Sequence, residues 1–108
     1  MASDPRLRQL KIKTNVVKRI GKEVKMYEQE AKGLEEKVKK MESEGKDEYD
    51  IRKQKEVLAE SKSMVPDTKR RLKTAIEDLK SLMTETEKEL SESKEFEEAK
   101  TMLQDVES

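Results

Sequence analysis

The chain has no cysteine, no histidine and no tryptophan among 108 residues, and only three glycines, two prolines and three aromatic side chains. Without cysteine there is no disulfide framework, no zinc–thiolate site and no thiol nucleophile, which excludes a disulfide-stapled secreted domain and points to an intracellular setting. Without histidine, the commonest general base near neutral pH and the commonest metal ligand are missing. Catalysis by carboxylates alone would need a concave pocket, and so little glycine and proline leaves few loops to build one, so no enzyme is expected. No apolar stretch approaches the roughly 20 residues of a membrane span. The start Met1-Ala2-Ser3-Asp4-Pro5 lacks the apolar region of a signal peptide, so a soluble, single-domain chain is expected. Charge of one sign is also missing overall, because 25 lysines and arginines face 25 aspartates and glutamates.

What remains is 46% charged and 31% hydrophobic residues, the composition of long amphipathic helices. Asp4 before Pro5 is an N-cap followed by the residue best tolerated in the first helical position. From there Leu10, Val17, Ile20, Val24, Tyr27, Ala31, Leu34, Val38 and Met41 mark a heptad seam, with Lys13 in the one missing slot. This spacing predicts helix one over about 5–42, about 57 Å long at 1.5 Å per residue, so a rod is expected. Gly21 and Gly33 lie inside it but off the seam, and read as tolerated surface glycines.

The stretch Ser43-Glu44-Gly45-Lys46-Asp47 breaks the pattern, with Gly45 suited to a left-handed helix end and Asp47 to a cap. So short a connection makes the flanking helices antiparallel neighbours. Helix two, predicted over about 48–83, carries Ile51, Leu58, Val65, Leu72 and Leu79 at intervals of seven. Gln54, Ser61 and Thr68 give its first half a narrow stripe, whereas Ala75, Ile76, Leu82 and Met83 give its second half a wide one. A wide stripe faces two helices, so a third should pack beside the second half. Pro66 removes a backbone hydrogen bond and should kink the helix, at a level near Val24.

Thr84, Thr86, Ser91 and Ser93 all offer caps for helix three, expected over about 91–106 with Phe96, Ala99, Leu103 and Val106 inward. The expected fold is therefore all-α, an elongated antiparallel three-helix bundle of left-handed coiled-coil type forming one domain over 1–108, its middle helix kinked at Pro66.

Local charge supports this arrangement. Residues 1–25 carry eight basic side chains against two acidic, and residues 77–108 carry four against eleven. An internal match between helices one and three explains the basic stretch from Arg6 to Lys25 better than nucleic-acid binding, because no aromatic side chain precedes Tyr27. Those basic side chains that face away from helix three would still attract an acidic protein partner. Ile12, Val16, Met26 and Met64 flank the seam and are expected to complete a core rather than form a docking site. No phosphate-cradling loop, metal-ligand pair or nucleophile motif is present, so no cofactor and no metal are expected.

Three blocks resemble one family. They are Asp4-Pro5-Arg6-Leu7-Arg8-Gln9-Leu10-Lys11-Ile12-Lys13-Thr14-Asn15-Val16-Val17-Lys18-Arg19, then Tyr49-Asp50-Ile51-Arg52-Lys53-Gln54-Lys55-Glu56-Val57-Leu58-Ala59-Glu60-Ser61, then Met64-Val65-Pro66-Asp67-Thr68-Lys69-Arg70-Arg71-Leu72. In this order and spacing they resemble the tubulin-specific chaperone A, or tubulin-folding cofactor A, family over nearly the whole chain. The resemblance implies a non-enzymatic cytoplasmic chaperone, associated with the cytoskeleton. Such a protein would hold quasi-native β-tubulin after its release from the cytosolic chaperonin, on the way to αβ heterodimers. Its partners would be β-tubulin and, indirectly, other tubulin-folding cofactors, with no nucleic acid and no membrane, and a monomer is expected rather than a dimer. Contact is expected on outward faces within those blocks, around Lys11, Lys18 and Arg19, around Tyr49, Arg52 and Lys53, and around Met64, Asp67, Arg70 and Arg71. There packing alone does not dictate residue type. The alternative is a structural coiled-coil protein that forms homo-oligomers, since a heptad seam does not announce whether it closes within or between chains.

Overall fold

A computed structural model describes residues 4–107. They form three helices, α1 (Pro5–Ser43), α2 (Glu48–Leu90) and α3 (Lys94–Glu107). Each start has its own cap. Asp4 Oδ1 accepts from the Arg6 amide at 2.9 Å, Asp47 Oδ1 from the Tyr49 amide at 2.8 Å, and Ser93 Oγ from the Phe96 amide at 3.1 Å. Each bond satisfies a backbone donor that the first helical turn leaves without a partner.

Helix α1 ends in a Schellman arrangement. The Lys46 amide donates to the Met41 carbonyl at 3.0 Å and the Gly45 amide to the Glu42 carbonyl at 3.2 Å, with Gly45 at φ 68°. That left-handed conformation is one a side chain rarely adopts, which is why glycine stands there.

Helix α2 continues to Leu90 rather than ending near 83, because Thr86 and Leu90 extend its inward face beyond Met83. Thr86 is fully buried and its hydroxyl donates to the Leu82 carbonyl at 2.8 Å, so it serves the helix interior instead of capping α3. Only Ser91–Ser93 is left as a connection, and α3 accordingly starts at Lys94 rather than near 91.

The chain divides into two compact units, one of Met1–Lys22 and Arg70–Ser108, the other of Glu23–Lys69. In the first, the bundle unit, Leu10, Val17 and Ile20 of α1 pack with Ala75, Leu79 and Leu82 of α2 and with Phe96, Ala99 and Leu103 of α3. The wide stripe of α2 thus faces two helices. Gly21 lies at a close approach to α3, where an added Cβ would stand 3.3 Å from Val106 Cγ1. It is a packing position, unlike Gly33, whose Cβ would meet nothing within 4 Å.

The second, the hairpin unit, joins the end of α1 to the start of α2. Val24, Ala31 and Val38 are buried from α1, whereas the buried residues of α2 here are Ser61 and Thr68. Glu28 meets Lys69 at 3.7 Å and Glu42 meets Lys55 at 3.5 Å, two antiparallel pairs at the same offset and two heptads apart. Exposed pairs of this kind contribute little energy, but a slipped register would break both.

Candidate interaction surfaces

The expected contact residues fall on both units, and nine of the ten are exposed. In the bundle unit these are Lys11, Lys18, Arg19, Arg70 and Arg71; in the hairpin unit they are Tyr49, Arg52, Lys53 and Asp67. Met64 is half-buried, since it lies on the flank of the α2 stripe that faces α1. All ten sit on helices, three on α1 and seven on α2.

On the bundle unit, basic side chains of α1 and acidic side chains of α3 line shared grooves, while ion pairs tie α1 to α2 and α2 to α3. Lys18, with Thr14 and Asn15, lines one wall of a groove of ≈ 610 Å³ whose other wall includes Lys94, Glu97 and Glu98. Lys11 and Glu95 border a second depression near the start of α1. Arg6 reaches Glu89 at 3.1 Å, and Lys80 reaches Glu107 at 3.1 Å. The basic stretch is therefore partly matched within the bundle unit.

Arg6 also holds Asp4 at 2.6 Å. That guanidinium, followed by the Arg6 amide, lowers the Asp4 carboxyl from 3.8 to about 2, against the opposing effect of partial burial. The same contact, with Glu89 adding to it, pushes Arg6 above its ordinary value.

On the hairpin unit, Tyr49, Lys53, Val57, Glu60, Met64 and Asp67 follow one another at steps of four, four, three, four and three, so one face of α2 carries them all. The Lys53 ammonium stands over the Tyr49 ring at 5.5 Å and lies 3.8 Å from Glu56. Tyr49 is 59% exposed and Val57 44%. Val57, an apolar residue outside the seam and four positions after Lys53, adds an exposed apolar group to this face. Arg52 lies on a neighbouring face, beside the turn, in a depression shared with Glu42, Lys46 and Lys55.

Flanking residues expected to complete the core divide. Val16 packs against the bundle core, whereas Ile12 and Met26 are half exposed. No helix is long and apolar enough to cross a membrane among the described residues, nor is any group of acidic side chains placed to hold a metal ion.

An all-helical chain that exposes Tyr49, Val57, Ile12 and Met26 together with many charged side chains on its helix faces has the make-up of proteins that act by binding another protein. Its family is specific. A family model described as tubulin binding cofactor A matches residues 5–103. Tubulin-specific chaperone A of Gallus gallus is 55% identical over 104 residues, covering 96% of this chain and 95% of the relative. The Homo sapiens protein of the same description is 52% identical over the same shares. The crystal structure of tubulin folding cofactor A from Arabidopsis thaliana superimposes with a TM-score of 0.89 at 44% identity, covering 95% of this chain and 96% of that one. The chain belongs to the tubulin binding cofactor A family. It is accordingly a tubulin-folding cofactor and not an enzyme.

Proposed function

We propose that this chain binds β-tubulin in a quasi-native state after release from the cytosolic chaperonin, and holds it in the cytoplasm until later cofactors assemble the αβ heterodimer. The observation that carries this reading is the match of the family model across all three helices, residues 5–103. Holding is stoichiometric and needs no nucleotide hydrolysis. The helices cover a surface that the tubulin subunit would otherwise expose, and no cofactor, nucleic acid or membrane takes part. A monomer acts, as one domain of left-handed coiled-coil type bent at Pro66. The continuity of α1 and α2 through both units supports a single domain, and the proline inside α2 supports the bend.

Contact is made by the outward side chains Lys11, Lys18, Arg19, Tyr49, Arg52, Lys53, Met64, Asp67, Arg70 and Arg71. Their support is their exposure on helix faces, Met64 excepted. The basic members draw in an acidic subunit, and binding then weakens as salt rises.

Size-exclusion chromatography with light scattering tests the reading, on the chain alone and after mixing with β-tubulin released by chaperonin and ATP. A one-to-one complex formed from a monomer is expected. A self-associated chain that fails to co-elute with β-tubulin would overturn it in favour of a structural coiled coil.

A further inference from the structure

The seam that closes the hairpin unit buries only small or polar side chains among its described residues. Val24, Ala31 and Val38 are its buried apolar side chains, and α2 offers buried Ser61 and Thr68 in return, with Leu58 and Val65 only half-buried. No leucine, isoleucine or phenylalanine is buried among the described residues of this unit, whereas the bundle unit buries Leu10, Ile20, Leu79, Leu82, Phe96 and Leu103.

Polarity compounds the small size. Gln54, Ser61 and Thr68 recur every seven residues, so a polar track runs along the α2 side of the seam. Thr68 satisfies its hydroxyl on the Met64 carbonyl at 2.7 Å. Gln54 Oε1 and Ser61 Oγ are buried without a hydrogen-bond partner, and both belong to this unit. A buried polar atom without a partner is unfavourable when closed and regains water when exposed. Pro66 further deprives the Lys62 carbonyl of its helical donor. The pairs Glu28–Lys69 and Glu42–Lys55 are exposed and hold the closed form only lightly.

We infer that the hairpin unit is a built-in opening element: its two helical arms, 23–43 and 48–69, part while the bundle unit stays folded, and the parted seam adds its inner faces to the outward contact residues in engaging the tubulin subunit. The opening follows from the seam alone, and its use for engagement rests on the function proposed above. Val24, Leu34, Val38, Leu58 and Val65 then become an apolar strip, while Gln54 and Ser61 become hydrogen-bonding groups for the partner. A polar track suits a surface that must survive exposure to water in one state and be covered in another.

Hydrogen–deuterium exchange of the full chain by mass spectrometry, paired with β-tubulin capture, tests this. Amides of 25–43 and 50–69 are expected to exchange at least about tenfold faster than those of 8–22 and 74–106. The variant carrying Gln54→Leu and Ser61→Ala should slow hairpin exchange by about tenfold or more, at about tenfold per 1.4 kcal/mol of relieved burial, and leave the bundle unit unchanged. Ser61→Ala alone removes one oxygen without any risk of overpacking and should shift exchange in the same direction. Capture of β-tubulin should weaken by the factor by which opening is suppressed. Equal protection in the two units would overturn the opening, and slowed exchange with unchanged capture would overturn its role. Failure of the unaltered chain to capture β-tubulin would instead refute the proposed function and leave the exchange result standing.

Discussion

Gly21 and Val106 bring α1 and α3 together so closely that a methyl group on Gly21 would stand 3.3 Å from Val106 Cγ1. Helix α3 is tied by charge to α2 instead, through Lys80 and Glu107 at 3.1 Å. Gly33, twelve residues further along α1, has open space around it. Gly33→Ala should therefore raise stability by about 1 kcal/mol through helix propensity alone. Gly21→Ala should gain less, since the Val106 side chain must shift by a few tenths of an ångström. Adding Val106→Ala should make the gain from Gly21→Ala larger than it is beside Val106, a coupling that a double-mutant cycle in urea would read.

The bundle unit should carry most of the stability. Leu79 is fully buried and Phe96 is 4% exposed. Leu79→Ala should cost about 2–5 kcal/mol and Phe96→Ala about 3–5 kcal/mol. Leu58→Ala, at a half-buried position of the hairpin unit, should cost less than either. Urea denaturation followed by circular dichroism gives the ranking, and a larger loss at Leu58 would contradict the division of the core.

The start of α1 should respond to acid. The Asp4 carboxyl sits below its ordinary value because Arg6 favours its charged form. Its stabilising contribution is therefore complete above the ordinary value of 3.8, declines as pH falls below it, and is lost through about 2. An NMR titration should show the Asp4 carboxyl with a midpoint near 2 and the Arg6 amide shifting with it. Asp4→Asn should retain the amide cap and abolish that titration.

Charge reversal at Arg70 and Arg71 should weaken β-tubulin capture without lowering helicity, since both side chains are exposed. The loss should be greatest at low salt, where screening is weakest. Capture that survives unchanged would remove this face from the contact.

Replacing Pro66 with alanine should restore an amide donor to the Lys62 carbonyl and raise stability by up to about 3 kcal/mol, read as a higher urea midpoint.

Period and punctuation determined much of this protein. Apolar residues every three or four positions define α1 and α2, and Asp4, Gly45 and Asp47 mark helix ends through backbone chemistry that acts within a few residues. The family was legible too, because three separated blocks of residues carried it. The tertiary structure alone decided the rest. Thr86 reads as a cap in the sequence, yet its hydroxyl serves the α2 interior, because burial beside Leu82 and Leu90 extends that helix. Gly21 reads as a surface glycine until α3 lies against it, and Ile12 and Met26 read as core until their neighbours leave them exposed. Local propensity is set by a residue and its near neighbours in the chain, whereas burial is set by which distant helix comes to lie beside it. A heptad pattern names the face that will be covered but not the side chain that will cover it.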